Sequence, residues 1–263
     1  MNTVLEFHQK KQNGQRISLT TCYDYWSACI LRDTPIDAVL VGDSASMVMH
    51  GYPSTVHASV EMMVWHVAAV ARALPSMFII ADLPFLAHRK GTEFLMQSVD
   101  RLMKAGAHAV KAEGGSEVIA EIQHIIQSGV PVMGHLGLTP QSVNMLGGHK
   151  LQATRPEAAD KLVNDALLLE DAGVFALVLE MVPAGLAQQV TQKLKIPVIG
   201  IGAGPHTDGQ VLVLQDLLGM SKDFSPKFLR KYLNGYELIK EALIRFDADV
   251  KNGNFPSEKE SYV

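Results

Sequence analysis

A lysine and a glutamate stand two residues apart at the close of an apolar run, in the stretch AVKAEGG beginning at Ala109. Side chains alternate faces along a strand, so Lys111 and Glu113 share one face. Buried charges need partners. One use of the pair is structural, an ion pair that closes a core. The other is chemical: Lys111 binds an anionic substrate while Glu113 helps hold a metal. Asp43, Asp82, His135 and Glu180 are placed as Glu113 is, each closing an apolar run at its C-terminal end. Asp43, Asp82 and Glu113 supply three hard oxygen ligands, a set that suits Mg²⁺ and leaves room for water and substrate oxygens. Helix caps and ion pairs absorb the same acids, so spacing alone leaves both readings open.

The runs these residues close are short, apolar and rich in β-branched residues: ISLTTCYD, DAVLVGDS, FIIADLPF, AVKAEGG, PVMGHLG, ALVLEMV, PVIGIGAG and QVLVLQDLLG. Nearly continuous apolar runs are the pattern of parallel strands covered on both faces. Segments 60–74, 92–106, 116–129, 155–173 and 182–195 carry apolar residues at three- and four-residue spacing and read as helices. Three of them stop near Gly106, Gly129 and Gly173, as C-capped helices do. About eight strands alternating with helices predict an α/β chain forming a (β/α)₈ TIM barrel. A doubly wound open sheet shares the alternation but not the count. In a barrel the C-terminal strand ends meet at one rim, so the five polar residues become one constellation. The expectation is one domain over 1–263, with a polar, turn-rich tail from about residue 250.

Composition narrows the function classes. The chain has 263 residues, 48% hydrophobic and 19% charged, enough for a large core. A net charge of −4 gives no basic surface for nucleic acid. Cys22 and Cys29 form no disulfide framework or metal spacing, which points to a reducing compartment. No secretory h-region or clean membrane span is evident, so a cytoplasmic location is expected. GIGAGPHTDG lacks the full dinucleotide fingerprint and reads as close backbone packing at a rim. His66 and the MMVW stretch read as helix core, and His50, His57, His149 and His206 show no paired metal spacing.

The stretches TTCYDYWSA, VLVGDSASMVMHG, ADLPF, VKAEGG, GHLGLTPQSVN, LVLEMVP and PVIGIGAGPHTDGQVLVLQDLLG occur in order along almost the whole chain. With them the sequence resembles the ketopantoate hydroxymethyltransferase family. The resemblance implies a barrel of the phosphoenolpyruvate mutase/isocitrate lyase kind. It implies metal ligands at Asp43, Asp82 and Glu113, substrate contacts at Asp43, Ser44, Asp82 and Lys111, and a general base at Glu180. The implied reaction moves a hydroxymethyl group from 5,10-methylenetetrahydrofolate to 3-methyl-2-oxobutanoate through a Mg²⁺-stabilised enolate. The products are 2-dehydropantoate and tetrahydrofolate, in pantothenate synthesis. A homo-oligomer, a decamer by the family's habit, is also implied, with a last barrel helix near 225–246 exchanged between partners. The chain departs from the family pattern at Ala45, Ser46, Ala112, His149 and Gln215. A related Mg²⁺-dependent lyase or phosphonomutase would use a cysteine-bearing loop, whereas both cysteines here precede the second strand. A non-catalytic scaffold on the same barrel would have no use for the intact acid set.

Overall fold

Eight parallel strands close into a barrel in sequential order. The structure, a computed structural model, describes residues 3–262. In chain order the elements are α1 (Val4–Gln12), β1 (Ile17–Thr21), α2 (Tyr25–Arg32), β2 (Ala38–Val41), α3 (Ala45–Val48), α4 (Val60–Ala73) and β3 (Phe78–Asp82). There follow α5 (Thr92–Lys104), β4 (Ala109–Glu113), α6 (Ile119–Gln127), β5 (Val132–Gly137), α7 (Val143–Leu146), α8 (Pro156–Ala172) and β6 (Ala176–Glu180). The last are α9 (Ala184–Lys193), β7 (Val198–Ile201), β8 (Gly209–Leu212), α10 (Leu214–Leu217) and α11 (Gly235–Lys251). All eight expected strands are present, and each of the five expected helical segments holds a helix.

Local chemistry explains the helix ends. Ser59 caps α4 by accepting the Met62 N–H at 3.1 Å, and Val60, Met63, Val67 and Val70 give it one buried stripe. Asp24 caps α2 through the Ser27 N–H at 2.9 Å. Pro156 opens α8, and Gly173 ends it in the left-handed region. Met63 is core as expected, but Trp65 in the same stretch is 76% exposed because it points off the buried stripe.

Strand alternation builds the interior in layers. Ile17, Leu19, Ala38, Leu40, Phe78, Ile80, Ala109, Met133, Ala176, Val178, Ile199 and Val211 form one buried cluster. Phe7 of α1 joins them, and its ring meets Phe78 and Phe175 edge-on at 5.5 and 5.2 Å. Two residues further along the same strand faces come Asp82, Lys111, His135 and Glu180, and Glu113 follows Lys111. The apolar filling thus occupies the middle of the barrel and the charges its C-terminal mouth.

Strands β7 and β8 are joined by a loop rather than a helix. Gly204 in it has φ +79°, and a Cβ there would lie 2.4 Å from the Ala184 Cβ at the start of α9. This is the close packing expected of the GIGAG stretch.

The chain divides into two compact units, Met1–Val213 and Leu214–Val263. The barrel is the first. In the second, the expected helix at 225–246 instead begins at Gly235 and runs to Lys251. Pro226 and the Asn234-Gly235 pair favour turns over helix upstream. Among the described residues no helix is long and apolar enough to cross a membrane.

Candidate active site

The strand register sets the site. Asp82 pairs with Lys111 across β3 and β4, Glu113 with His135 across β4 and β5, and Gly137 with Glu180 across β5 and β6. At Gly137 (φ +95°) a Cβ would fall 2.2 Å from the Glu180 carbonyl oxygen, so only glycine lets these strand ends approach. Met181, directly after Glu180, has φ 49°, a left-handed conformation that turns the chain away at the rim.

All the sequence-derived site residues line one cavity of about 110 Å³: Asp43, Ser44, Asp82, Lys111, Glu113 and Glu180, with His135. Asp43, Asp82, Lys111, Glu113 and His135 are each at most 6% exposed. The Lys111 ammonium lies 2.8 Å from Asp82 Oδ1, 3.9 Å from Glu113 Oε1 and 3.3 Å from His135 Nδ1. His135 spans two acids, with Nδ1 3.2 Å from Glu113 Oε1 and Nε2 3.3 Å from Glu180 Oε2. The Asp43 N–H donates to Asp82 Oδ2 at 2.9 Å. Ser44 Oγ shares a 2.8 Å hydrogen bond with the buried Tyr23 hydroxyl.

The charges respond to this crowding. Burial opposes the charged form of Lys111, but Asp82, Glu113 and Asp43 outweigh it and raise its pKa. Burial and the Lys111 charge oppose an imidazolium at His135; hydrogen bonds to Glu113 and Glu180 prevail, pushing it up to about 9. Glu113 is held below the ordinary carboxylate range, because His135 and Lys111 overcome its burial. Asp43 goes the other way: burial, then repulsion from Asp82 and Glu113, raises its pKa well above the usual value despite Lys111 and Gln141.

These residues suit a divalent cation in charge and donor type. Four carboxylates face one ammonium and one imidazole, leaving a negative excess that even protonation of His135 does not cancel. Asp82 Oδ1 and Glu113 Oε1 are buried, and they face the Lys111 ammonium and the His135 imidazole rather than neutral donors. Hard, charged oxygens in excess are a Mg²⁺-type donor set. The three acids are not gathered round one point, however. Among the described residues no group of three or more His, Cys, Asp or Glu side chains is arranged to hold a metal ion. Lys111 reaches both Asp82 and Glu113, and Glu113 leans on His135. The acids linked most directly are Asp43 and Asp82.

Gln141 and Tyr23 went unremarked in the sequence. Gln141 of the GHLGLTPQ stretch is buried and bonded to Asp43. Tyr23 of TTCYDYW holds Ser44. Ser46, one of the departures from the family pattern, is fully buried and donates to the carbonyls of Asp43 at 2.8 Å and Ser54 at 3.1 Å, tying the loop after β2. His66, expected in the core, is half-buried; its Nδ1 is 2.6 Å from the Tyr23 carbonyl and its Nε2 2.8 Å from His50 Nε2. A pairing across 16 residues leaves no local spacing signal.

The profile of the ketopantoate hydroxymethyltransferase family matches residues 1–258. The chain belongs to this family. A curated relative from Bdellovibrio bacteriovorus, named 3-methyl-2-oxobutanoate hydroxymethyltransferase, is 54% identical over 262 residues, covering all of both chains. Relatives of the same name from Coxiella burnetii and Francisella tularensis subsp. novicida are 53% and 48% identical. They cover 97% and 100% of this chain and 96% and 99% of their own. Ketopantoate hydroxymethyltransferases are transferases, and the chain is an enzyme of that class. Among solved structures, 2,3-dimethylmalate lyase, a PEP mutase/isocitrate lyase superfamily member, superposes with a TM-score of 0.59 at 15% identity, covering 97% of this chain and 99% of its own. Phosphonopyruvate hydrolase in complex with oxalate and Mg⁺⁺ gives 0.62 at 13% identity, covering 99% and 93%. At such identities the likeness is one of fold alone.

Proposed function

We propose that this chain transfers a hydroxymethyl group from 5,10-methylenetetrahydrofolate to C3 of 3-methyl-2-oxobutanoate, giving 2-dehydropantoate and tetrahydrofolate. The observation that carries the reading is one ammonium, one imidazole and four carboxylates meeting at the mouth of a barrel whose relatives bear that enzyme's name. Asp43 and Asp82 would hold a divalent cation, Mg²⁺ in this reading, with Glu113 beside them. When bound, the ion supplies Lewis acidity to a 2-oxo acid.

The chain's own residues do the rest. Ser44, fixed by Tyr23, orients the substrate carboxylate. Lys111, kept charged by Asp82 and Glu113, favours negative charge building on the keto oxygen as the enolate forms. Glu180 takes the C3 proton. It is the last residue of β6, its side chain is 18% exposed, and His135 holds one of its oxygens. Water adds to the methylene carbon of the donor, whose two C–N bonds break to release tetrahydrofolate and leave the carbon as formaldehyde. The carbanion attacks that carbon, and the alkoxide takes the proton back from Glu180 to become the hydroxyl. A second cavity of about 370 Å³, lined by Glu113, Phe85, His88, Arg89 and Met145, shares the Glu113 wall and is of a size to receive the donor. The lyase reading gains nothing here, because neither Cys22 nor Cys29 lines the small cavity.

The reading extends to assembly with further copies of the chain. Tyr236, Ile239, Leu243, Phe246 and Val250 recur at alternating three- and four-residue spacing on α11, and all are 40% or more exposed. Such a stripe is stable in water when it is covered. Both substrates with Mg²⁺ should yield 2-dehydropantoate, EDTA should stop it, and added Mg²⁺ should restore it. No product from the complete mixture contradicts the proposed reaction.

A further inference from the structure

Three of the four acids of the mouth, Asp82, Asp43 and Glu113, have one oxygen held by a neutral donor. Asp82 Oδ2 accepts from the Asp43 N–H at 2.9 Å. Asp43 Oδ2 accepts from Gln141 Nε2 at 2.8 Å, and Glu113 Oε2 from the Gln141 backbone N–H at 3.1 Å. One residue therefore supplies two of the three donors, to acids that follow β2 and close β4. The same Gln141 Nε2 also donates to the Leu83 carbonyl at 2.9 Å, just past Asp82. Both side-chain partners are acceptors, so the amide must present its nitrogen. Gln141 is 7% exposed, in the single turn Pro140–Ser142 that follows β5. An amide buried against a carboxylate and a carbonyl has little freedom to reorient, since turning it would leave buried acceptors unpaired.

We infer that Gln141 is the positioning residue of the acidic set: its amide fixes the Asp43 carboxylate with one oxygen withheld and the other free for a cation. This rests on the reading of Asp43 and Asp82 as the cation-holding pair. Partners one step outside a metal site typically change affinity by ~10–100-fold when lost. The backbone arm to Glu113 survives any side-chain change, so substitution removes only the side-chain arms, to Asp43 and to the Leu83 carbonyl.

The test is Mn²⁺ affinity, measured by electron paramagnetic resonance on the full chain without substrates, for wild type and Gln141→Met, which keeps length and volume. The expected result is a fall in affinity of about tenfold or more with an unchanged circular dichroism spectrum. Wild-type affinity in the folded variant overturns the inference. Gln141→Leu replaces the Met variant if that one does not fold; failure of both to fold also overturns it, because the residue would then be structural. A wild-type chain that binds no Mn²⁺ refutes the cation reading instead. In that case a crystal structure of the variant decides: a turned Asp43 carboxylate supports the positioning role, and an unmoved one overturns it.

Discussion

At the scale of single residues, the mouth of the barrel is a charge imbalance held in place by a few neutral donors. Its acids were legible because each interrupts an apolar run where one more aliphatic side chain would otherwise stand. Gln141 was not, because a glutamine in a Pro-containing turn carries no signal until the turn is seen to fold over Asp43 and Glu113. The position of Lys111 between Asp82 and Glu113 was only half legible. Alternation places Lys111 and Glu113 on one face, but the contact with Asp82 depends on strand register. If Asp82 helps hold the cation, binding stabilises the fold in proportion to ligand saturation, by about 2.7 kcal/mol at a hundred times the dissociation constant. Mg²⁺ should therefore raise the wild-type melting temperature. Asp82→Asn, which keeps an acceptor for the Asp43 N–H, should lose that rise. An equal rise in the variant would remove Asp82 from the cation site.

At the scale of elements, the strands were legible throughout, since parallel strands buried on both faces leave uninterrupted apolar runs. The long amphipathic helices were legible for the same reason of periodicity. Short elements were not: α3 and α7 have four residues each, too few for a period to show. The turn Ala87–Arg89 after β3 is another such case, and it buries His88. Burial, aided by the Arg89 charge, holds this histidine below its ordinary value. The unfolded chain then binds the proton more readily than the folded one. Its contribution to stability is complete above the unfolded value of about 6.5 and is lost as pH falls below it. His88→Gln should make the unfolding free energy fall less steeply from pH 7 to pH 5 in urea titrations. An identical slope in the variant would show that His88 takes up its proton without cost to the fold.

At the scale of the whole molecule, the sequence pattern gave the barrel but misjudged the last helix, because its apolar residues continue upstream of Gly235 into a segment that Pro226 keeps irregular. The helix that does form carries the exposed stripe of Tyr236, Ile239, Leu243, Phe246 and Val250. Wild type should be a homo-oligomer by light scattering at micromolar concentration. Leu243→Glu should shift it toward smaller species, and a monomeric wild type would contradict the assembly. In the proposed reaction the barrel mouth works as one unit, removing the C3 proton of 3-methyl-2-oxobutanoate before the one-carbon donor takes part. The most direct measurement is exchange of that proton in D₂O, followed by NMR, with Mg²⁺ and without the folate. Wild type should exchange it, and Glu180→Gln should do so ~10²-fold more slowly or worse, while still binding the keto acid. Exchange at the wild-type rate in Glu180→Gln would contradict the account.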